Sequence, residues 1–394
     1  MIQRQIEEKI RSLVGKYPVI TINGPRQSGK TTLVKKMFSE FTYVNFEDIE
    51  QREFAISDPK GFLNAKGKKL IIDEAQYVTD IFSYIQLYVD VDAERQYILT
   101  GSQNFLLMER INQSLAGRVA IFNLLPFSMS ELHDTPFEKP TYQESILYGG
   151  YPRIYDKDLN PTEWLKNYNA TYVERDVRQV INIGDLNSFQ KFMALCAGRI
   201  GQLINFSSIA NELSLSYHTV QKWLSILEAS FITYRLYPHH KNYNKRLVKS
   251  AKLYFYDTGL AVAILGIKDV EQLQLHYLKG ELFENLIITE LIKQKLNAGQ
   301  SSNYYFWRDN KGVEIDCIHE EGNKFTAIEI KSGLSVHQDF FKNLLYYQRL
   351  SEVSNKELVL VYGGTESYQR NQARVISWKD LHMITKGLDP SNSQ

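Results

Sequence analysis

The chain has 394 residues, of which 43% are apolar and 23% are charged, and its formal net charge is +1. Such a length indicates roughly two to four domains. The near-neutral charge excludes a polycation, so any nucleic-acid binding must come from a local patch.

The first third of the chain alternates apolar runs with helix-forming segments, which predicts a parallel sheet wrapped by helices. The predicted strands are VITIN (19–23), YVNF (43–46), KLIID (69–73), YILTG (97–101) and RVAIFNL (118–124). A helix is predicted over 30–39. From about 126 to 202 the pattern is mainly helical and is interrupted by the turn GGYPR (149–153).

The segment GPRQSGKT (24–31) fits GxxxxGK[ST] and lies between the first strand and a helix, the context that a phosphate-binding loop requires. Its glycines let backbone N–H groups converge on phosphate oxygens, and the helix dipole adds to this. Lys30 is predicted to reach the β- and γ-phosphates, and Thr31 to place its hydroxyl on Mg²⁺. The residues expected to bind ATP are Gly24, Pro25, Arg26, Gln27, Ser28, Gly29, Lys30, Thr31 and Thr32.

The strand KLIID ends in a pair of carboxylates, Asp73 and Glu74. After a phosphate loop, such a pair is typical of a magnesium ligand followed by the group that activates water. We therefore expect Asp73 to bind Mg²⁺, directly or through water, and Glu74 to polarise the attacking water.

Two further polar segments carry candidate catalytic residues. In TGSQN (100–104), Ser102 or Gln103 is a candidate sensor of the γ-phosphate, and the alternative is an ordinary polar loop. In AGR (116–118), Arg118 is a candidate arginine finger, since a guanidinium neutralises transition-state charge well. The alternative for Arg118 is an ordinary surface arginine.

Residues 204–238 have the rhythm of a helix-turn-helix, with Ser207 and Ser216 as expected helix caps. The expected exposed start of the second helix contains Tyr217, His218, Thr219, Gln221 and Lys222. Basic residues that suit a wing against DNA phosphates follow: Lys241, Lys245, Arg246, Lys249 and Lys252. The alternative is a winged helix that mediates protein contacts.

The last third reads as helix, three strands, helix and strand, with Glu284 on the first helix. Asp316 on one strand and the Glu329-x-Lys331 pair on the next resemble the PD-(D/E)xK nuclease signature. That resemblance implies metal binding by Glu284, Asp316 and Glu329, with Lys331 orienting water. The alternatives are charged residues on amphipathic strands and a nuclease-like fold kept as a scaffold.

Several motifs together resemble a family of prokaryotic AAA+-type ATPases that carry a C-terminal domain of unknown function. They are GPRQSGKTTL, LIIDEAQ, LTGSQNFLL, SLAGR followed by LLPFSMSEL, and GGYPR. The resemblance covers nearly the whole chain and implies an α/β fold of four parts. These are an AAA+-like parallel-sheet core (1–135), a helical lid (136–200), a winged helix (201–270) and a restriction-endonuclease-like α/β domain (271–394). It also supports Arg118 as the finger and implies that Pro152 contacts nucleotide.

The expected activity is hydrolysis of ATP with Mg²⁺ by a homo-oligomer that engages DNA. Two alternatives stay open: a regulatory NTPase switch whose C-terminal domains are protein-interaction scaffolds without nuclease activity, and a non-catalytic DNA-binding scaffold. Cys196 and Cys317 lack CxxC spacing, which argues against disulfides and zinc and fits a reducing cytosol. No apolar stretch has the length of a membrane span, so a cytoplasmic protein is expected.

Overall fold

The structure is a computed structural model that describes residues 2–102, 107–108, 111, 113–173, 186–239, 250–351 and 357–385. Five residues singled out above lie outside these ranges, namely Gln103, Lys241, Lys245, Arg246 and Lys249. Among the described residues, no helix combines the length and apolar character needed to cross a membrane.

The N-terminal part is built on a five-stranded parallel sheet in the order β2-β3-β4-β1-β5. Its strands are β1 (Val19–Asn23), β2 (Thr42–Asn45), β3 (Lys69–Asp73), β4 (Gln96–Gly101) and β5 (Val119–Asn123). The five predicted strands are thus confirmed to within a residue or so. Parallel strands that are buried on both faces read as continuous apolar runs, and for this reason the sequence shows them clearly.

Helices cover both faces of this sheet and separate its strands. They are α1 (Ile6–Leu13), α2 (Lys30–Met37), α3 (Ile49–Ser57), α4 (Pro59–Lys66) and α5 (Ile81–Val91). Two apolar clusters, one on each face, fill the space between helices and sheet. Because all the strands point the same way, β1, β3 and β4 end at one edge of the sheet, where the loop 24–31 also lies.

The next part is helical, as predicted. Its helices are α6 (Met129–Leu132), α7 (Tyr142–Tyr148), α8 (Pro152–Asp156), α9 (Pro161–Tyr168) with a π-helical turn (Asn169–Val173), and α10 (Leu186–Ala197). Ser128 and Thr141 each form a capping box at the start of a helix, which fixes α6 and α7.

A helix-turn-helix follows, made of α11 (Phe206–Leu213) and α12 (Tyr217–Ala229), with the antiparallel pair β6 (Thr233–Leu236) and β7 (Lys252–Phe255). Ser216 caps α12 as predicted, since its Oγ accepts from Thr219 N at 3.0 Å. The prediction for Ser207 is wrong. Asn205 caps α11 through its Oδ1, which accepts from Ser208 N at 3.0 Å, and Ser207 lies inside the helix.

The last part is a six-stranded mixed sheet in the order β12-β13-β11-β10-β9-β8. Its strands are β8 (Tyr304–Arg308), β9 (Glu314–Glu321), β10 (Lys324–Lys331), β11 (Leu358–Tyr362), β12 (Tyr368–Gln369) and β13 (Arg374–Ser377). The helices after β7 are α13 (Thr258–Ile264), α14 (Val270–Leu275), α15 (Lys279–Asn297), α16 (Lys342–Ser351) and α17 (His382–Thr385). Of these, α13 and α14 pack against the helical part, whereas α15 and α16 pack against the sheet. One apolar cluster extends from Phe127 to Ile384, so the helical part, the helix-turn-helix and one face of this sheet share a core.

Candidate nucleotide site and C-terminal carboxylate site

The loop 24–31 has the backbone geometry of an anion cradle. Gly24 has φ of 148°, and a Cβ there would lie 2.1 Å from the Leu124 carbonyl oxygen, so only glycine fits. Lys30 Nζ donates to the carbonyl oxygens of Gly24 at 2.9 Å and Pro25 at 2.8 Å. The buried Ser28 Oγ has no hydrogen-bond partner among the described residues. An orphaned donor and a lysine folded over the loop both fit a bound phosphate.

Asp73 stands at the end of β3 as an acceptor for three hydroxyl groups. Its Oδ2 accepts from Thr31 Oγ1 at 2.6 Å and from Tyr43 OH at 2.8 Å, and its Oδ1 accepts from Thr100 Oγ1. Burial and the nearby Asp73 raise the pKa of Tyr43, so its hydroxyl stays a donor. The structure therefore brings Thr31 and Asp73 together, in the arrangement that two ligands of one Mg²⁺ need.

Sequence reasoning missed Tyr43 and Thr100. Thr100 is the second-last residue of β4 and stands in TGSQN two residues before Ser102, so the polar end of this strand was an available signal. Tyr43 lies on a strand that shows only an apolar pattern, and nothing in the sequence indicates its contact with Asp73.

Glu74 has a left-handed backbone conformation, with φ of 54°. Its Oε2 accepts from Ser102 Oγ at 2.9 Å, from Ser102 N at 3.3 Å and from Gln76 Nε2 at 2.5 Å. The predicted residues Glu74 and Ser102 are thus in contact. In this arrangement Ser102 orients the carboxylate that is expected to activate water.

A cavity of about 730 Å³ opens in front of this cluster, a volume within the usual range for small-molecule sites. The predicted loop residues that line it are Arg26, Gln27, Gly29, Lys30, Thr31 and Thr32. The lining also contains Phe127, Phe137, Tyr155, Pro152 and Arg153. Pro152 therefore lines this cavity, and its contact with nucleotide stays a prediction. The sequence analysis did not single out the exposed Arg153 beside it.

The N-terminal segment closes one side of this cavity through Arg4, which is buried. Its guanidinium donates to the carbonyl oxygens of Ser28 at 2.9 Å and Leu125 at 2.7 Å, and forms an ion pair with Glu131 at 2.9 Å. Arg4 thereby fixes the phosphate loop to the start of the helical part. Its position near the N-terminus gave no sequence signal for this role.

Arg118 lies far from the phosphate loop of its own chain. It directly precedes β5, and Val119 pairs with Val19 at the start of β1, so Arg118 is at the opposite edge of the sheet. Five residues of strand separate the two edges, which is roughly 16 Å. The guanidinium donates to both carboxylate oxygens of Asp90 on α5, at 2.6 and 2.8 Å. A finger role for Arg118 stays a prediction and requires the nucleotide of a second copy.

In the C-terminal sheet, Asp316, Glu329 and Lys331 lie side by side. Lys331 Nζ is 2.7 Å from Glu329 Oε1 and 3.7 Å from Asp316 Oδ2. Asp316 Oδ2 also accepts from Ile330 N at 2.7 Å. Burial opposes the charge of Lys331, but Asp316 and Glu329 outweigh it and raise the pKa of this lysine.

Glu284, on α15, makes its contacts with β7. Its Oε1 accepts from Lys252 Nζ at 2.9 Å and from the hydroxyl of Tyr254. Lys252 Nζ also lies 2.6 Å from Glu314 Oε1, and its side chain is only 4% exposed. The prediction that Lys252 belongs to a wing facing DNA phosphates is therefore wrong, because its ammonium is buried between two carboxylates.

The carboxylates of this site are compatible with a divalent cation but do not converge on one point. Within the described part of the chain, the only three metal-ligating groups within 4.8 Å of one another are the largely exposed His133, Asp134 and Glu138. Glu329 Oε2 is nevertheless buried without a hydrogen-bond partner among the described residues. Burial and the neighbouring Asp316 raise the pKa of Glu329 to about 8.

The same causes act on Glu284. Burial raises its pKa to about 7, with Lys252 opposing and Asp316 adding to the rise. A metal ion relieves repulsion between buried carboxylates, and the buried Glu329 Oε2 is the oxygen of this site that is available to bind one.

Family comparisons divide the chain in three. Residues 16–133 match an AAA domain, and residues 139–271 and 279–381 match two domains of unknown function, DUF8612 and DUF4143. With β1, the phosphate loop and Asp73 at one sheet edge, the first match decides the fold of this part. Residues 16–133 are therefore similar to an AAA domain, which supports a P-loop ATPase fold for this part. Such a domain indicates ATP binding and hydrolysis.

Two relatives of similar sequence are uncharacterized proteins. The chain is 27% identical to an uncharacterized protein of Mycobacterium tuberculosis, over 98% of this chain and 86% of that protein. It is 24% identical to an uncharacterized protein of Haemophilus influenzae, over 87% of this chain and 88% of that protein. A Walker-type ATPase of Pyrococcus abyssi superposes with a TM-score of 0.48 and 16% identity, over 67% of this chain and 96% of that one.

Proposed function

We propose that this protein binds and hydrolyses Mg²⁺–ATP at the cavity in front of the loop 24–31. One observation supports this most directly: Thr31, Asp73 and Glu74 meet at the sheet edge where Lys30 covers the loop. Mg²⁺ held by Thr31 and Asp73 would neutralise charge on the β- and γ-phosphates. Glu74, oriented by Ser102, takes the proton of the attacking water.

Substitution of Lys30 and Glu74 separates binding from chemistry. Lys30→Ala is expected to abolish nucleotide binding, because the phosphates lose their main cation. Glu74→Gln is expected to keep binding and lower kcat at least about hundredfold, the size of a lost general base. Glu53→Gln, an exposed carboxylate on α3, is the matched control. Nucleotide titration and phosphate release measure the two effects, and a wild-type rate for Glu74→Gln would assign the water to another group.

We further propose that the active form is a homo-oligomer in which Arg118 serves the nucleotide of a neighbouring copy. The position of Arg118 at the far edge of the sheet supports this, since its own nucleotide is out of reach. Arg153, which is exposed and lines the same cavity, supplies a second cation for the phosphates of its own chain.

For the remaining parts we propose a lid, a winged helix and a PD-(D/E)xK-like domain that together engage DNA. Supporting observations are the helix-turn-helix with its β6–β7 pair, and the position of Asp316, Glu329 and Lys331 on adjacent strands. A divalent cation bound there would polarise a phosphodiester. If the wild type cleaves DNA in Mg²⁺ or Mn²⁺ and both Asp316→Ala and Lys331→Ala lose this cleavage, the domain is catalytic. If the wild type cleaves neither linear, circular nor branched DNA, the domain is a scaffold.

Two observations favour the alternative of a regulatory NTPase switch. Lys252 and Lys331 already compensate part of the charge of the carboxylates, and the helical part shares its core with the C-terminal sheet. Slow ATP turnover, assembly that depends on nucleotide and the absence of DNA cleavage would together support the switch over the DNA-processing enzyme.

A further inference from the structure

Two ammonium groups lie among the C-terminal carboxylates, and one of them comes from another part of the chain. Lys331 belongs to β10 together with Glu329. Lys252 belongs to β7, next to the helix-turn-helix, and reaches across to α15 and β9. Its Nζ lies between Glu284 Oε1 at 2.9 Å and Glu314 Oε1 at 2.6 Å.

The position of Lys252 is fixed by several contacts. A buried ammonium is unfavourable unless carboxylates compensate for the lost water, and here two of them do. Asn285, directly after Glu284, bonds the N–H and the carbonyl oxygen of Phe255, both at 2.8 Å, and so holds β7 against α15. Tyr254 on the same strand donates to Glu284 as well.

These contacts occupy one of the two carboxylate oxygens of Glu284. A divalent cation shared by Glu284, Asp316 and Glu329 would compete for the charge of Glu284 with the Lys252 ammonium, which together with Tyr254 already holds its Oε1. Glu329 behaves differently. Its Oε2 is buried without a hydrogen-bond partner among the described residues and is available as a ligand.

We propose that Lys252 is an internal competitor of the divalent cation, whose ammonium holds Glu284 in a metal-free arrangement. This proposal rests on the proposed function of Glu284, Asp316 and Glu329 as metal ligands. A divalent cation on Glu284 is then repelled by the Lys252 ammonium, which binds the same carboxylate. The winged-helix part thereby controls whether the C-terminal site is loaded.

Mn²⁺ binding to the full chain tests the competition directly. Mn²⁺ is titrated into the protein without nucleotide, and the electron paramagnetic resonance signal of free Mn²⁺ measures binding. All variants also carry Asp73→Asn, which removes the proposed Mg²⁺ ligand of the ATP site. Lys252→Met is expected to tighten Mn²⁺ binding about tenfold or more, because it removes a positive charge that binds the same carboxylate as the metal. Tyr254→Phe removes one hydrogen bond to Glu284 and is expected to tighten binding less. Tyr254→Phe still tests the competition if Lys252→Met does not fold.

The matched control is Lys293→Met, another buried lysine, paired with Glu290 on α15 at 2.8 Å. This variant is expected to bind Mn²⁺ as the parent does. Unchanged or weaker binding in both Lys252→Met and Tyr254→Phe would overturn the competition and leave the metal site standing. Asp316→Asn with Glu329→Gln must abolish the signal. Mn²⁺ binding that survives this change, or that is absent from every variant, would overturn the metal site itself.

Discussion

Glu329 carries a buried carboxylate whose charge is only partly compensated. It is 1% exposed, and its Oε1 accepts from Lys331 at 2.7 Å and Asn343 at 3.2 Å. Burial first, and then repulsion from Asp316, raise its pKa to about 8. In the absence of metal this residue therefore holds a proton in the folded protein that the unfolded chain releases near its ordinary value of 4.5.

The sign of the pH dependence follows from this shift. Because the pKa of Glu329 is higher in the folded than in the unfolded protein, the protonated carboxyl favours the folded state. This contribution to the free energy of unfolding is fully present below the unfolded pKa of about 4.5 and is lost as the pH rises towards 8. Glu329→Gln keeps the shape without the charge, so its thermal midpoint should fall less between about pH 5 and pH 8 than that of the wild type. The two midpoints should differ by roughly 2–4 °C for each kcal/mol of unfolding free energy that depends on the charge of Glu329. Differential scanning fluorimetry with Glu53→Gln as control measures it, and parallel curves for all three proteins would contradict the expectation.

At the nucleotide site, residue types were predictable but their contacts were not. The pattern GxxxxGK[ST] and the pair Asp73–Glu74 place the phosphate loop and the acids, because chemistry demands those types in that order. That Ser102 orients Glu74, or that Arg4 holds Ser28, depends on side chains from distant segments meeting in space.

Strands and helices were predictable where burial leaves an apolar pattern. VITIN and KLIID appear as β1 and β3 with the predicted bounds, because both strands are almost wholly buried. The first helix cap was assigned to Ser207 instead of Asn205, since several good capping residues stand together and sequence alone does not rank them. Lys252 was misassigned because a basic run does not show that its last member turns inward on β7.

The basic segment before β7 carries a prediction of its own. Lys241, Lys245, Arg246 and Lys249 are expected to contact DNA phosphates, so neutralising all four should weaken duplex binding. It should also lower the slope of log K against log salt by up to about 0.9 per lost contact. Lys60→Met is the matched control, because this exposed lysine on α4 lies outside the basic segment and the slope should stay unchanged. An unaltered slope in the fourfold variant would indicate a protein-binding role for the helix-turn-helix.

At the scale of the whole molecule, β7 joins the two candidate sites. One end carries Lys252 in the C-terminal carboxylate site. Just past the other end, Asp257 accepts from Gly150 N at 2.7 Å, in the turn whose Pro152 lines the nucleotide cavity. On α15, Lys293 bonds the Phe127 carbonyl oxygen at 2.9 Å, so that helix also contacts both sites. A rigid strand and helix with an end at each site are the physical connection that coupling between ATP and metal would need.

Assembly provides the last prediction, through Arg118. Its pairing with Asp90 lies on a face where Leu87 is 59% and Val91 82% exposed, so the region around the arginine is apolar and open. If Arg118 acts on the nucleotide of a neighbouring copy, it exchanges Asp90 for a phosphate when copies meet. Arginine fingers contribute about 10³–10⁵ in rate, so Arg118→Ala should lower kcat at least about hundredfold while nucleotide affinity is kept.

Mixing variants distinguishes this from a local defect. Arg118→Ala supplies intact nucleotide sites and Lys30→Ala supplies intact arginines, so their mixture should regain part of the activity that each lacks alone. Arg11→Ala, an exposed arginine on α1, is the control and should hydrolyse ATP normally. Light scattering under assay conditions gives the assembly state. A fully active monomer, or a mixture as inactive as its components, would return Arg118 to an ordinary surface arginine and leave hydrolysis to the groups around Lys30, Asp73 and Glu74.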